Sequence, residues 1–535
     1  MAKSKNKTYQ KQSSGFVETL NVDEIFGRYV WLLVPVLTFV YYLIRFYSEG
    51  FYQDDEIAQY LNMIQFWKDP SVILGNNPKP GYKILMVVPA LISYDVVLLT
   101  NSLIAALTVF FTYKLLRIYE IKYAFAGTLL LATQPLFVDL SFRSYSEIFT
   151  ALCIVIFLIL YKKEKYFFAA LLVGYIYTIR QEIAIFAIIL AVILLRKKEY
   201  LAIIALGLFP ILYDILGFLK TGDIFYIITE MRSVASLAYN TQGPLHYFKV
   251  YIFIIGPVSL VLFLFGFFGF LCDFKNYKEF LKRYDLFYII FITIFLVQIY
   301  TMWNNGPNPG NWRYLLHISP IATAFATVGI NLLKDKKSRT VFFEVSGLLL
   351  VIVLMFLSKQ SDGFKLLEKS DYTKSIFIIL VMVSVMIFTR SNVKNSLNKL
   401  SFIFVILSII YLLIDFTPKK LSPENLTVKS AAEFLNMQNL SGINVYTNHS
   451  VLMFFAKNYR ENPEKFKPLN SKNVIDAPEG SIFFWENHYA YRPEWKNDVK
   501  LEDLKANPKL KLINQFTSSD KSFVIFVFQK IKTDG

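Results

Sequence analysis

The chain has 535 residues, 55% of them hydrophobic and 18% charged, against about 25% charged in an average soluble protein. That balance excludes a single soluble domain and assigns most of the chain to a bilayer. The formal net charge of +16 does not indicate nucleic-acid binding, because the basic residues lie in short clusters between apolar runs, which is a topology signal.

Residues 1–27 form a tail with Lys3, Lys5, Lys7 and Lys11. Apolar runs then predict about thirteen transmembrane helices within 28–416, since about 20 apolar residues cross a hydrocarbon core of about 30 Å. They cover 29–48, 83–117 (long or broken), 123–140, 146–161, 166–180, 183–195, 200–219, 248–272, 286–303, 313–333, 340–358, 375–389 and 400–416. The first run is too long for a signal-peptide core and lacks a small-residue cleavage site, so it reads as a retained span. Cys153 and Cys272 both fall in apolar runs, with neither a pairing partner nor metal-ligand spacing.

The connecting segments alternate in charge. One set carries the tail lysines, Lys114/Arg117/Lys122, Lys162/Lys163/Lys165, Arg196/Lys197/Lys198, Lys275/Lys278/Lys282/Arg283, Lys334/Lys336/Lys337/Arg339 and Arg390/Lys394/Lys399. The other set is much poorer in basic residues; its weakest member is 359–374, with four lysines. The positive-inside rule therefore predicts a cytoplasmic N-terminus and an extracytoplasmic C-terminal region. The abundance of Lys, Ile, Asn and Phe suits an AT-rich bacterial genome, hence a multi-pass protein of a bacterial inner membrane.

The unusual chemistry lies in the segments predicted outside. Asp54-Asp55-Glu56 follow the first span, and Ile57, Tyr60, Leu61, Ile64 and Trp67 recur at helical spacing. This predicts an amphipathic helix in the membrane interface. One acid suffices for a cap, so three in a row point to function. The next outer turn, Ser141-Phe142-Arg143-Ser144-Tyr145-Ser146-Glu147, holds an arginine without a local structural reason and a glutamate suited to the first turn of a helix. Arg180 and Glu182 follow between two apolar runs, where charges are costly and usually pair or line a wet cavity. Segment 220–249 holds Glu230, Arg232, Asn240, His246 and Lys249, which the sequence does not sort into site and scaffold. The Gly/Pro/Asn-rich loop after Trp303 ends in Trp312-Arg313-Tyr314, where a guanidinium at a helix mouth suits bidentate phosphate binding. Within the spans, Asp214 and Gln298 are the polar exceptions; Asp214 reads as a helix–helix contact.

Beyond Asp415-Phe416-Thr417-Pro418 the apolar runs stop, and 417–535 reads as a small α/β domain. A helix is predicted over 427–437, a strand over 443–447, a helix over 451–457, and strands over 481–485, 511–516 and 523–528. His449 and His488 read as core or surface histidines rather than substrate ligands. No P-loop, Gly-x-Gly-x-x-Gly, Gly-x-Ser-x-Gly or Cys/His metal spacing is present, and the two halves of the membrane region do not mirror each other as many transporters do.

Carboxylates and arginines thus converge from several segments onto one membrane face. Carboxylates can deprotonate a hydroxyl, and arginines can bind a phosphate leaving group. In this combination the chain resembles the GT-C fold glycosyltransferases that use polyprenyl-phosphate-linked sugars, mannosyltransferases and aminoarabinose transferases among them. The resemblance rests on the acids Asp54-Asp55-Glu56 before an interfacial helix, on Arg313-Tyr-Leu-Leu-His-Ile-Ser-Pro320 at the start of a late helix, and on many spans followed by an extracytoplasmic α/β domain. It implies a catalytic base among Asp54, Asp55 and Glu56, with one of the two aspartates favoured. Arg313 would bind the donor phosphate, joined by Arg143 and Arg180, while Glu147, Glu182, Trp312 and Tyr314 would contact substrate. It also implies a polyprenyl-phosphate sugar donor, a lipid, glycan or protein acceptor, and no essential metal, although some relatives bind a divalent ion through the acidic pair. A lipid or polysaccharide transporter or flippase, and a ligase or polymerase using a diphosphate-linked lipid, are the competing readings.

Overall fold

The computed structural model describes residues 22–74, 79–235, 242–304, 308–357, 371–390, 396–438, 443–493 and 497–531. Most of the tail, the 359–370 part of the weakest loop, and Asn240 lie outside the described residues.

The protein is an α-helical membrane protein with a small C-terminal sheet domain. Among the described residues, seven helices are long and apolar enough to cross a bilayer: Phe26–Tyr47, Tyr94–Ile118, Tyr200–Thr221, Asp285–Trp303, Trp312–Leu332, Lys336–Phe356 and Ser396–Asp415. Two bent pairs raise this to nine if each counts as one span, and Pro80–Ile92, Tyr166–Tyr177 and Thr373–Phe388 are shorter apolar helices. The expected thirteen apolar runs are helical, but several are not straight spans.

The breaks have local causes. The run expected over 83–117 is divided at Ser93, whose hydroxyl accepts the Val96 N–H at 3.2 Å and so starts a second helix. Ala124–Ala132 and Pro135–Ser141 meet at 63°, with Pro135 at the first turn of the second helix. His246–Ile255 and Pro257–Phe267 meet at 117°. There Gly256 takes φ +79°, a conformation costly for any residue with a Cβ, and Pro257 starts the next helix.

Helix Tyr200–Thr221 turns Leu201, Ile204, Ile211 and Leu219 outward, an apolar face suited to lipid. By contrast, Ser319–Leu332 is buried along most of its length. It packs against Pro257–Phe267 so closely that a Cβ on Gly266 would lie 1.8 Å from the Phe325 carbonyl oxygen.

The basic connectors gather at one end of the bundle. Lys122 and Lys334 line one hollow, Arg283 donates to the Tyr119 carbonyl at 2.9 Å, and Lys162 lies over the Tyr119 ring. The C-terminal domain caps the opposite end, beside the N-terminus of helix Ser146–Lys162.

That domain packs helix Pro423–Met437 on a five-stranded sheet. Its strands are β1 (Val445–Tyr446), β2 (Phe466–Lys467), β3 (Ile482–Glu486), β6 (Leu510–Thr517) and β7 (Val524–Lys530), in the order β2-β1-β3-β7-β6. β1 runs parallel to β2 and β3, while β3–β7 and β7–β6 are antiparallel, with Phe484 opposite Val527. A separate ribbon pairs β4 (Tyr491–Arg492) with β5 (Asn497–Asp498). Period-two alternation sends Ile482 and Phe484 to the core that includes helix Pro423–Met437, and Phe483 and Trp485 to a second cluster with Tyr446, Leu469 and Phe528. The expected strands are found; β2 and the short ribbon were not anticipated.

One expectation is corrected. Helix Asp55–Gln65 does not lie free in the interface. It is clamped between the bundle and the C-terminal domain, with Ile57, Tyr60, Leu61 and Met63 buried. Phe454 of that domain packs edge-on against Phe51, Tyr60 and Tyr94. The Gln65 amide donates to the Tyr459 hydroxyl at 2.7 Å, and Lys68 pairs with Glu464 at 2.9 Å.

Candidate active site

The three consecutive acids end up in three environments because helical geometry turns each side chain about 100° from the last. Asp54 stands at the N-cap of helix Asp55–Gln65 but makes no capping bond. It accepts instead from the Tyr489 hydroxyl at 2.8 Å, across 435 residues of sequence. Asp55 accepts from Arg313 Nη2 at 2.5 Å. Glu56 turns inward and is fully buried. It accepts from the Tyr94 hydroxyl at 2.7 Å and the Tyr52 N–H at 3.2 Å, with Arg143 Nη1 at 3.5 Å.

Arg143 is likewise committed. Its Nη1 donates to the Gly50 carbonyl at 2.6 Å, Nη2 to Ser48 Oγ at 2.9 Å, and Nε to the Asp139 carbonyl at 2.9 Å. The expectation of a phosphate ligand meets a guanidinium already bonded to scaffold through Nε, Nη1 and Nη2, and that of a catalytic base at Glu56 meets a buried carboxylate. A cavity of about 240 Å³ adjoins this pair, lined also by Arg45, Phe46, Phe455 and Lys429.

Arg313 differs. It lies on the 3-10 helix Trp312–Ile318, directly before Ser319–Leu332. Its side chain is 1% exposed while that of Asp55 is 46% exposed, so the pair runs from the buried wall to the opening. Tyr145 and Tyr314 flank the guanidinium at 4.5 and 5.4 Å. Neither Nε nor Nη1 has a hydrogen-bond partner among the described residues, although Nε lies 3.7 Å from Glu147 Oε1.

Behind Arg313 the charges alternate. Glu147, wholly buried, accepts from Arg180 Nη1 at 3.0 Å, while its Oε2 has no hydrogen bond among the described residues. Arg180 Nε donates to Glu182 at 2.6 Å and stacks over Tyr314 at 4.7 Å. Gln298 donates to Glu182 at 2.9 Å and accepts from Asn308 at 2.8 Å. The Arg180–Glu182 pair read from the sequence is therefore one link in a longer chain. Trp312 stands apart from this chain, stacked on Phe253 at 5.1 Å. Asp214 accepts the Ile227 N–H at 3.2 Å, outside the charged chain.

Two cations went unnoticed in the sequence. Lys79 and Lys83 are both buried, at the start of helix Pro80–Ile92. Lys79 lies within electrostatic reach of Asp55, Glu147, Arg180 and Arg313, and Lys83 of Lys79 and Asp55. Their ammonium groups make no hydrogen bond or ion pair with the described residues. The available signal was Lys79-Pro80-Gly81-Tyr82-Lys83: two lysines opening an apolar helix, where unpaired charge is expensive. His317, buried beside Glu182 and Arg180 with neither ring nitrogen hydrogen-bonded among the described residues, was also missed.

The C-terminal domain brings Glu424 and His488 next to Asp54, with one ligand atom from each lying within 4.8 Å of the others. Burial alone raises the pKa of Glu424, but hydrogen bonds with His449 and His488 outweigh it and hold it at about 2. The same bond to Glu424 raises that of His488.

No protein-family model matches this chain, and no curated protein does. Two crystal structures of ArnT from Cupriavidus metallidurans share its fold. The form bound to undecaprenyl phosphate superposes with a TM-score of 0.58 at 10% identity, and the apo form with 0.57 at 9%. Each covers 94% of this chain and 98% of ArnT. The chain therefore has an ArnT-like, GT-C polytopic fold along nearly its whole length.

Proposed function

We propose that this protein is a membrane glycosyltransferase that moves a sugar from a polyprenyl-phosphate donor to an acceptor hydroxyl. The observation carrying this reading is the half-exposed Asp55 carboxylate held by buried Arg313, with the buried side chains of Lys79 and Lys83 nearby. The likeness to an ArnT structure that holds undecaprenyl phosphate supports the donor class.

The donor phosphate takes the place of Asp55 on Arg313 and meets the side chains of Lys79 and Lys83, and the acceptor approaches from the open side of Asp55. As the acceptor oxygen bonds to the anomeric carbon, its proton passes to Asp55. The bond from that carbon to the phosphate oxygen breaks, and the departing polyprenyl phosphate gains a negative charge that the buried cations stabilise. Arg313 exchanges one anionic partner for another, which frees Asp55 as phosphate binds. These cations supply the positive charge at the phosphate, so this step calls on no metal.

On this reading Arg180, Glu147 and Glu182 hold Arg313 in place, Tyr314 is the spacer between the two arginines, and Glu56 and Arg143 are scaffold. The basic connectors at the opposite end support a cytoplasmic N-terminus and a site on the extracytoplasmic side of a bacterial inner membrane.

The test is transfer of label from a polyprenyl-phosphate sugar pool by membrane vesicles containing wild type, Asp55→Asn or Arg313→Ala at matched expression. Asp55→Asn is expected to lower transfer by about 10²-fold or more. Full activity of Asp55→Asn, or passage of labelled lipid across the bilayer without transfer, overturns the proposal.

A further inference from the structure

Lys374 is a buried cation that the transfer step does not use. It lies in the first turn of helix Thr373–Arg390, beside the last residue of helix Ser396–Asp415, from which the chain passes into the C-terminal domain. Its placement runs against local preference. A helix N-terminus disfavours positive charge, and a lysine at a membrane surface ordinarily reaches its ammonium out to water. Lys374 turns inward. Its Nζ lies 2.6 Å from Asp371 Oδ2, 3.2 Å from Asp415 Oδ1 and 4.4 Å from the centre of the Phe253 ring. The two carboxylates are 26% and 27% exposed and the lysine side chain 2%, so the acids face water and the cation faces the protein.

Phe253 passes this contact on. Its ring stacks on the indole of Trp312, with centroids 5.1 Å apart and planes at 29°. Trp312 opens the 3-10 helix Trp312–Ile318, and Arg313 is the next residue. At seven residues this 3-10 helix is long for its kind, because such hydrogen bonds are poorly aligned, so its course depends on outside support. Helix His246–Ile255 gives that support. His246 Nε2 lies 2.9 Å from the Gly310 carbonyl oxygen, the Tyr247 hydroxyl donates to the Asn311 carbonyl at 3.2 Å, and Phe253 holds Trp312. Three residues per turn set successive side chains about 120° apart. With Trp312 fixed on Phe253, Arg313 points away from it, toward Asp55 and Glu147.

We infer that Lys374 is a positioning residue for Arg313: held by Asp371 and Asp415, it keeps Phe253 against Trp312 and so sets the turn that aims the guanidinium at the donor. A desolvated ammonium is attracted to an aromatic face. Without it, the two aspartates that share this cation would repel each other and the helix ends that carry them would part. The inference rests on the reading of Arg313 as the donor-phosphate ligand.

The experiment uses purified full-length protein reconstituted in vesicles of phosphatidylethanolamine and phosphatidylglycerol, as wild type, Lys374→Met, Lys374→Arg, Phe253→Leu, Arg313→Lys and the Lys374→Met/Arg313→Lys double variant. The first readout is the fluorescence emission of Trp312, taken as the difference between each protein and the same protein carrying Trp312→Phe. Lys374→Met is expected to shift it, and Lys374→Arg, which keeps the charge, to leave it near that of wild type. The second readout is transfer from a labelled polyprenyl-phosphate sugar. Lys374→Met should lower kcat/KM about tenfold or more, because small misplacements of a binding group are costly, and Lys374→Arg should restore most of that loss. In the Arg313→Lys background, Lys374→Met should cost less than about twofold, because residues that act through one another are not additive. A lysine that only holds the fold together would give losses that multiply.

Unchanged Trp312 emission in Lys374→Met, kinetics equal to wild type, or multiplying losses overturn the inference. If Lys374→Met does not fold, Phe253→Leu, which leaves the ion group intact, decides by the same two readouts. A wild-type protein that transfers no sugar overturns the functional reading alone, and the Trp312 emission then decides the hold of Lys374 on the 3-10 helix.

Discussion

Glu147→Gln tests the charged chain behind Arg313 with little change of shape. The carboxylate is wholly buried, 3.0 Å from Arg180 and 3.7 Å from Arg313. Removing one partner of a buried ion pair costs about 3–5 kcal/mol, because the other charge is left uncompensated. Arg180 keeps Glu182 at 2.6 Å and Arg313 keeps Asp55 at 2.5 Å, so the lower end applies, about 3 kcal/mol. That is roughly a hundredfold in the folded-to-unfolded ratio. The assay is the fraction of detergent-solubilised protein still monodisperse after graded heating, for wild type, Glu147→Gln, Arg180→Gln and the double variant. The double variant removes both charges and leaves no stranded guanidinium, so it should be markedly more stable than the sum of the single losses implies. A Glu147→Gln protein as stable as wild type, or strictly additive losses, would refute the view that these charges act as one network.

Lys79→Ala should lower kcat/KM for the lipid-linked donor by about tenfold or more, with kcat falling as well, as expected for losing a cation that meets the charge developing on the phosphate; unchanged kinetics in vesicles remove Lys79 from the donor site. Gly266→Val should abolish monodisperse protein on gel filtration, because its Cβ meets the Phe325 carbonyl oxygen at 1.8 Å. Gly347→Ala, with nothing within 4 Å of the added Cβ, should be tolerated or slightly stabilising. Equal yields of Gly266→Val and wild type would contradict the close helix contact.

The helical character of the membrane region was legible in the sequence, because bilayer thickness converts directly into the length of an apolar run. Breaks were less legible. Pro135 and Gly256-Pro257 are visible in the chain, but an apolar window averages across them, and only neighbouring helices decide whether a break becomes a bend of 63° or 117°. Helix Asp55–Gln65 showed its apolar face in the sequence; that a second domain rather than lipid covers that face depends on contacts with Phe454, Tyr459 and Glu464.

The candidate site divides in the same way. The acids at 54–56, taken together, and Arg313 stood out, since charges beside apolar runs are costly enough to need a reason. Three adjacent acids look alike in one dimension. Their separation comes from helical phase and from partners far along the chain: Tyr489 for Asp54, Arg313 for Asp55, and Tyr94 with Arg143 for Glu56. Arg143 was grouped with Arg313 as a phosphate ligand, and the number of acceptors already around each guanidinium separates them. The sequence by itself determined that this is a many-spanning membrane protein with acids and arginines gathered at one face, because hydropathy and charge are properties of single residues summed locally. Which of those charges pair, which stay free for a ligand, and that Glu424 and His488 join Asp54, only the tertiary structure decided, because hydrogen bonds and ion pairs act over a few ångströms between residues hundreds of positions apart.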